Sequence, residues 1–176
     1  MTEPSERPWS VTVPLHDIST GKHVALEANA EVRAALARPA GVDAVERLVA
    51  QLDLTPRGRG VHVGGTVSAT VRQTCVVTLE PVVNQIEEAV DVDFVAPGAP
   101  PPAEDLDPEA ASADEPEPLT GNAIDLGVLA TEFLILGVDP YPRKPGVAFD
   151  APQAGDAAAN PFAALAGWAK KGTVKE

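Results

Sequence analysis

Residues 61–71 read Val-His-Val-Gly-Gly-Thr-Val-Ser-Ala-Thr-Val. Apolar residues at every second position predict a long strand with one buried face, and the pair Gly64-Gly65 is where it could kink. A second alternating run occupies residues 86–95, with Ile86, Val90 and Phe94 on one face and mainly acidic residues on the other. Because short connections join consecutive strands here, we expect them to pair antiparallel.

Upstream of this stretch the pattern predicts three further strands and one helix. Strands are expected at residues 9–15, 22–28 and 48–54, with turns at 16–21 and 56–60. Asn29 is a favourable N-cap for a helix that runs to Arg38, where Pro39 stops it. Downstream, residues 75–79 continue as a strand or tight connection that Pro81 ends.

The strongest helix signal lies in residues 124–136. Asn122 is its predicted N-cap and Gly137 its predicted C′ residue. Residues 139–146 should be extended, and Asn160-Pro161 predicts the start of a short helix over 162–169. The fold class expected is α+β: a mostly antiparallel β-sheet or partly closed barrel with two or three short helices.

The composition predicts a single domain. The chain has 176 residues, 44% of them hydrophobic and only 4% aromatic, so the core should be aliphatic. We expect a flexible N-terminus at residues 1–8, one domain at 9–150, and a C-terminal segment at 151–176 with a short helix and a basic tail. Inside the domain, residues 97–118 are predicted to form a disordered acidic, Pro-rich insertion.

The net charge of −13 argues against a generic nucleic-acid binder. Residues 97–118 contain seven acids and no base, so the remaining 19 acids and 13 bases give about −6. The insertion is either a solubilising segment or an electrostatic mimic that occupies a basic surface of a partner. We expect no DNA partner.

The sequence also predicts the compartment. One cysteine excludes an intrachain disulfide and suits a reducing environment. Residues 1–7 have no apolar core of a signal peptide. The longest apolar stretch, residues 126–138, contains Glu132 and is too short to cross a bilayer. We therefore expect a cytoplasmic protein with no membrane partner.

Recognisable catalytic chemistry is absent from the sequence. His16, His23 and His62 show no zinc-ligand spacing and read as ordinary residues, and the glycines near Arg59 match no phosphate-binding motif. Cys75 is either a nucleophile or, as its apolar neighbours favour, a small buried hydrophobe. We expect a protein that is not an enzyme and has no metal and no cofactor.

Two short motifs remain open. Glu80, before Pro81, is either a turn carboxylate or a partner contact. Arg143 and Lys144 stand between prolines beside Tyr141, which suits recognition of RNA or of an acidic protein surface. The alternative is that Tyr141 packs on the core and the two bases are only solvated.

Several of these motifs, taken in order, resemble one family. Residues 75–81, the strand 86–94, Ile124-Asp125-Leu126-Gly127 with Glu132, and Tyr141-Pro142-Arg143 are similar to the YceD family of large ribosomal RNA subunit accumulation proteins. The N-terminal part from Trp9 resembles the alphaproteobacterial branch. Many members have Cys-x-x-Cys at the first motif and some have later cysteines that could bind zinc. Here Thr78 takes the second position and the later cysteines are missing.

The resemblance implies a non-enzymatic role in accumulation of 23S rRNA and in large-subunit assembly. Its partners would be 23S rRNA or a pre-50S particle, or a ribosomal or assembly protein. Two alternatives stay open: a protein-binding adaptor with no RNA contact, and an enzyme with an unfamiliar site. The candidate binding residues are Cys75, Glu80, Pro81, Asp125, Glu132, Tyr141, Pro142, Arg143 and Lys144.

Overall fold

Seven strands and two α-helices form the described part of the chain. The computed structural model describes residues 7–95, 116–119 and 121–148. In chain order the elements are β1 (Thr12–Pro14), a 3₁₀ turn (Leu15–Ile18), β2 (Lys22–Glu27), α1 (Ala30–Ala37), β3 (Ala44–Arg57), β4 (Gly60–Thr74), β5 (Pro81–Val95), β6 (Glu117–Pro118), β7 (Ala123–Asp125) and α2 (Leu126–Gly137). Residues 1–145 and 146–176 form two separate units, and of the second the structure describes only residues 146–148.

Five strands form one sheet in the order β2-β3-β4-β5-β6. The first four pair antiparallel with their sequence neighbours, as expected from their short connections. Only β6 is parallel, opposite Phe94 and Val95 of β5. The predicted α+β class with a mostly antiparallel sheet is confirmed; within residues 7–148 as described, the sheet is open and does not close into a barrel.

The long strands extend further than the sequence pattern predicted. A two-residue turn, Gly58-Arg59, joins β3 to β4, so both strands run into the stretch that was expected to be a turn. The pairing of β3 with β4 is irregular between Val45 and Arg47 and continuous at Gly64 and Gly65. Gly65 has φ of 150°, so the predicted kink is a local backbone conformation without a change of register.

The core lies on one face of the sheet. Alternate side chains of β3, β4 and β5 are buried there, including Leu48, Val67 and Val90. The two helices cover this face, with Leu36 of α1 and Leu134 of α2 fully enclosed. Burial of each such side chain stabilises the fold by about 1.5–3 kcal/mol. The opposite face of β5 carries exposed residues, as the acidic register predicted.

A second, two-stranded sheet fixes the start of α2. Strand β1 pairs with β7, and β7 ends at Asp125. Because residues 123–125 are extended in this sheet, the predicted N-cap Asn122 is wrong, and Asp125 caps the helix instead. The first predicted strand, 9–15, is also shortened to Thr12–Pro14 because the chain turns into a 3₁₀ turn at Leu15.

Three other expectations need correction. Pro81 opens β5 opposite Thr74 rather than ending the preceding segment, which is a position where a strand tolerates proline. Gly137 belongs to α2, and Val138 is the C-cap. Residues 117–118, at the end of the predicted disordered insertion, form β6 because the end of β5 offers them an open edge. The rest of the insertion up to residue 115, most of the predicted flexible N-terminus and the predicted helix 162–169 lie outside the described residues.

Candidate functional site

The connection between β4 and β5 is a compact turn over residues 75–80. The Cys75 N–H donates to the Glu80 carbonyl over 2.8 Å, and the Leu79 N–H donates to the Cys75 carbonyl over 2.9 Å. Leu79 has φ of 58° and is the only described residue other than glycine with a positive φ. This left-handed conformation costs a leucine roughly 1–2 kcal/mol, and the turn holds it there.

The thiol of Cys75 lies at the centre of this turn and has no exposed surface. Its Sγ accepts hydrogen bonds from the N–H groups of Thr78 at 3.5 Å and Lys144 at 3.4 Å. Hydrogen bonds from the Thr78 side chain and backbone, and from the Lys144 and Val77 backbone, lower the pKa of the Cys75 thiol to about 6, while burial opposes them. The thiol is therefore an acceptor that ties two chain segments together.

The segment after α2, residues 139–144, is clamped onto this turn. The Val76 N–H donates to the Pro142 carbonyl over 2.9 Å, and Pro142 is buried. Gln73, a buried residue of β4, donates from Nε2 to the Asp139 carbonyl over 2.8 Å and accepts from Asn84 Nδ2 over 2.8 Å. One side chain thus links β4, β5 and the segment.

An ion pair at the protein surface joins the same two segments. Lys144 Nζ lies 2.8 Å from Glu80 Oε2, and both side chains are about half exposed. The hydrogen bond from Lys144 and its positive charge lower the pKa of Glu80, and the hydrogen bond and charge of Glu80 raise the pKa of Lys144. Because both groups are solvated, this pair orients the two segments more than it stabilises them.

The clamp presents an exposed apolar surface, here called the turn surface. Leu79 of the turn is 77% exposed, Tyr141 of the segment 70% and Leu136 near the end of α2 74%, and Val76 and Ile135 are partly exposed. Val76 and Ile135 also line a groove of about 460 Å³ between the α1–β3 loop, the end of β4 and the segment after α2. Arg143 is exposed on the same segment. The turn surface therefore combines apolar, aromatic and cationic groups.

Asp125 lies at the opposite end of α2 from the turn surface. Burial raises the pKa of its carboxyl, but hydrogen bonds from the Ser10 hydroxyl and from the N–H groups of Val11, Val128 and Gly127 outweigh burial and lower it. It caps the helix and ties the N-terminal segment to it, so its position is explained by folding alone.

Glu132 belongs to the same region as Asp125. Burial and the negative charge of Glu117 raise its pKa, and Arg7 opposes them. All four of these charged residues line a cavity of about 180 Å³. This second cluster is built from α2, β6, β7 and the N-terminal segment, and the turn surface shares none of its residues.

Comparison with known protein families decides the identity of the chain. The family model described as large ribosomal RNA subunit accumulation protein YceD matches residues 63–167, which is more than half of the chain. The chain belongs to the YceD family. Membership supports a role in ribosome biogenesis. No curated protein and no solved structure matches the chain.

The match includes every candidate site residue of the YceD-like motifs, from Cys75 to Lys144. It begins within β4, so β1, β2, α1 and β3 lie before it. The likeness of the N-terminal part to the alphaproteobacterial branch therefore stays a prediction.

The structure divides the predicted site residues into two groups. Cys75, Glu80 and Lys144 contact one another, and Pro142 accepts from Val76, the residue after Cys75. Pro81, Tyr141 and Arg143 are adjacent to these residues in the chain. Asp125 and Glu132 belong to the other cluster. The two groups lie at different ends of α2.

Sequence reasoning missed Gln73 and Leu79. Gln73 continues the alternation of β4 at a position that faces the core. A polar residue at such a position is a sequence signal from which a buried hydrogen-bonding role could have been predicted. Nothing in the sequence marks the left-handed conformation of Leu79. No helix in the described residues is long and apolar enough to cross a membrane.

The YceD-like Cys-x-x-Thr turn does not fit a zinc site. Cys75 contributes one sulfur ligand and Thr78 offers a hydroxyl instead of a second thiolate. Within residues 7–95, 116–119 and 121–148, no three His, Cys, Asp or Glu side chains come together as a metal site would require. Hydrogen bonds to Sγ from Thr78 and Lys144 join the two segments here.

Proposed function

We propose that this YceD family member is a non-enzymatic cytoplasmic factor that supports accumulation of 23S rRNA and assembly of the large ribosomal subunit. It acts by binding a ribosomal or assembly protein through the turn surface. The observation that carries this proposal is the group of exposed large apolar side chains, above all Leu79 and Tyr141, on a rigidly clamped turn. Large apolar side chains exposed on segments that hydrogen bonds join are the kind of surface that marks a protein contact.

The clamp gives this surface a defined shape before binding. Cys75, Gln73 and the buried Pro142 hold the two segments together through main-chain and side-chain hydrogen bonds. A partner therefore does not need to order these segments on binding, which reduces the entropic cost of association. The strained Leu79 supports the same interpretation, because its conformation presents an apolar side chain to solvent.

Charge favours a protein over bulk RNA as the partner. The chain carries −13, so general attraction to phosphate is weak. Among the three candidate RNA-contacting residues, Lys144 is paired with Glu80. A protein partner needs no excess of positive charge on the turn surface.

A second candidate function is local RNA contact through Tyr141 and Arg143. Arg143 is exposed and forms no ion pair within the described residues, and Tyr141 is 70% exposed beside it. An aromatic ring and a free guanidinium can stack on an unpaired base and meet a phosphate. This contact would be small and local, because Lys144 is occupied.

A non-enzymatic role is supported by the surroundings of Cys75. Its Sγ is enclosed and faces N–H donors. His62 lies near the opposite end of β4, and His23 on β2 forms its hydrogen bonds with Asp53 and Gln51. Neither histidine is paired with the thiol. Its lowered pKa favours the thiolate, but a reactive cysteine must also be accessible to a substrate, and Cys75 has no exposed surface.

The test is a sucrose-gradient profile of a deletion strain that carries tagged wild-type or variant protein. We expect a 50S deficit without the protein, and comigration of the wild type with pre-50S particles. Leu79→Asn with Tyr141→Ala should move the protein to the top of the gradient and restore the deficit. Normal subunits in the deletion strain, with wild-type protein only at the top, would remove the ribosomal role.

Crosslinking in the same strains separates the two partner classes. A protein crosslink lost in Leu79→Asn supports the main proposal. An RNA crosslink lost in Arg143→Ala, and kept in Arg59→Ala, supports local RNA contact instead. Arg59 is the matched control because it is also an exposed arginine, in the β3–β4 turn far along the sheet from the turn surface.

A further inference from the structure

Strand β5 has one long edge that no other described strand covers. It is 15 residues long and pairs along its whole length with β4. On its other side, β6 pairs only with Phe94 and Val95. From Pro81 to Asp93, the outer edge is therefore open within the described part of the chain. Such an edge is a template for an added strand.

The direction of the free main-chain groups follows from two hydrogen bonds. The Val95 carbonyl accepts from Leu119 on the outer side, and the Glu80 carbonyl accepts from Cys75 on the β4 side. Because successive residues of a strand point their main-chain groups to opposite sides, the odd-numbered residues of β5 face outward. The register with β4 is continuous, so the outward residues with an N–H are Val83, Gln85, Glu87, Ala89, Asp91 and Asp93.

The edge is strongly negative. Residues 81–95 contain four acids, Glu87, Glu88, Asp91 and Asp93, and no base. Asp93 is paired with Arg57 at 2.8 Å and with His62 at 3.1 Å. The Asp91 side chain is 86% exposed, with His62 at 3.7 Å, and Glu87 is exposed. At least two carboxylates along the edge are therefore available to a cationic partner.

This charge selects the occupant. A second copy of β5 would bring the same carboxylates together, and RNA would bring phosphates, so both are repelled. A strand with Lys or Arg at alternate positions can form main-chain hydrogen bonds and opposite-charge pairs at once. The short parallel strand β6 shows that the edge accepts a strand at its end.

We propose that the outer edge of β5, from Pro81 to Asp93, binds an extended Lys- and Arg-rich segment of a partner protein as an added strand. This inference goes beyond the proposed function, because the edge shares no residue with the turn surface and can bind even if that surface does not. The pairs of hydrogen bonds along the edge supply affinity, and the carboxylates of Glu87 and Asp91 supply selectivity for basic side chains.

The experiment uses the full chain, labelled for NMR, and a capped peptide of alternating lysine and valine as the probe. We expect slower amide hydrogen exchange at the outward residues, such as Gln85, Ala89 and Asp91, when the peptide is added. The even-numbered amides already bonded to β4 should change little. Binding should weaken as salt is raised, and an alternating glutamate and valine peptide should not bind.

Two variants make the test specific to the edge. Ala89→Pro removes an outward N–H without touching the β4 pairing, and should weaken binding about threefold to tenfold, since one hydrogen bond is lost. If that variant does not fold, a lysine–valine peptide methylated on alternate main-chain nitrogens tests the same contact. Leu79→Asn is the control, because it changes the turn surface and should leave peptide binding unchanged.

Each result of this experiment either supports or overturns strand addition at the β5 edge. Protection of outward amides that is lost in Ala89→Pro, or with the methylated peptide, supports the added strand. Binding that is insensitive to these changes, or no protection at all, overturns it. Equal protection by a single-stranded RNA oligonucleotide would also overturn it, because RNA cannot continue the main-chain ladder.

Discussion

At the scale of single residues, Gln73 is the side chain on which the turn surface depends. It is 5% exposed and bonds the Asp139 carbonyl and Asn84. We predict that Gln73→Leu lowers the free energy of unfolding by about 1–3 kcal/mol, because two hydrogen bonds of a buried side chain are lost. Urea denaturation measures this. Gln85→Leu, an exposed glutamine on β5, should cost much less, and equal losses would show that Gln73 is not a clamp.

Substitution of Leu79 should affect the stability of the protein and its binding in opposite directions. Asparagine tolerates a positive φ better than leucine, so Leu79→Asn should keep or raise the free energy of unfolding, by up to about 1 kcal/mol. The same change removes an exposed apolar side chain and should reduce association with pre-50S particles. Thermal unfolding and sedimentation measure the two effects. A large loss of stability would contradict this account of the turn.

Asp125 predicts a pH dependence of stability. Its pKa is lowered in the folded protein, because hydrogen bonds from Ser10 and three N–H groups outweigh burial. Its contribution is therefore complete above the unfolded-state pKa of about 3.9, and is lost as the pH falls through the lower folded value. Asp125→Asn retains a capping oxygen but should show a weaker loss of stability in this acidic range. Acid titration followed by circular dichroism tests it.

At the scale of elements, β4 depends on one glycine. A Cβ at Gly65 would collide with the main chain of Gln51 in β3, and its φ of 150° disfavours other residues. We predict that Gly65→Ala lowers the free energy of unfolding by about 2 kcal/mol or more. The neighbouring Gly64→Ala is the matched control, because its Cβ would meet the His62 ring at 3.3 Å and the Val90 carbonyl oxygen only at 4.0 Å. Similar costs for both would show that close approach of β3 and β4 is not the reason for Gly65.

Helix α2 connects the two clusters of candidate residues. Its first turn is held by Asp125 and the small β1–β7 sheet. Its last turn comes so close to β5 that a side chain on Gly137 would collide with Ile86 and Glu88. Both ends of the helix are therefore positioned by neighbouring strands, and the segment after it reaches the turn surface at a defined place.

At the scale of the whole molecule, which carries a net charge of −13, the salt dependence of the proposed association with pre-50S particles tests the class of partner. If apolar contact through the turn surface dominates, raising salt should weaken association with pre-50S particles only slightly. If binding instead depended on many phosphate contacts, the affinity would fall by a factor of about 10³–10⁵ between low and moderate salt. Sedimentation at several salt concentrations distinguishes these cases, and a steep loss would favour RNA as the main partner.

Arg143 gives that measurement a residue-level control. If RNA contact contributes, Arg143→Ala should reduce the slope of log affinity against log salt concentration by about 1, as expected for one phosphate contact. Arg59→Ala makes the same change in net charge and should leave the slope unaffected. Equal effects of both variants would indicate a general effect of charge rather than a local contact.

The central parts of the long strands, helix α1 and the family follow from the amino-acid sequence alone. Period-two alternation over residues 61–71 and 86–95 reports which side chains are buried, and Asn29 caps α1 as predicted because capping is a local interaction. The order of short motifs points to the YceD family, and the match of the family model confirms it.

Contacts between residues far apart in the chain set the remaining features. The start of α2 moved to Asp125 because β7 pairs with β1, more than a hundred residues earlier in the chain. Gln73 became a clamp because the segment after α2 returns to the end of β4, and the same return encloses Cys75. Local propensity cannot report such contacts, since their energy appears only when the folded chain brings the partners together.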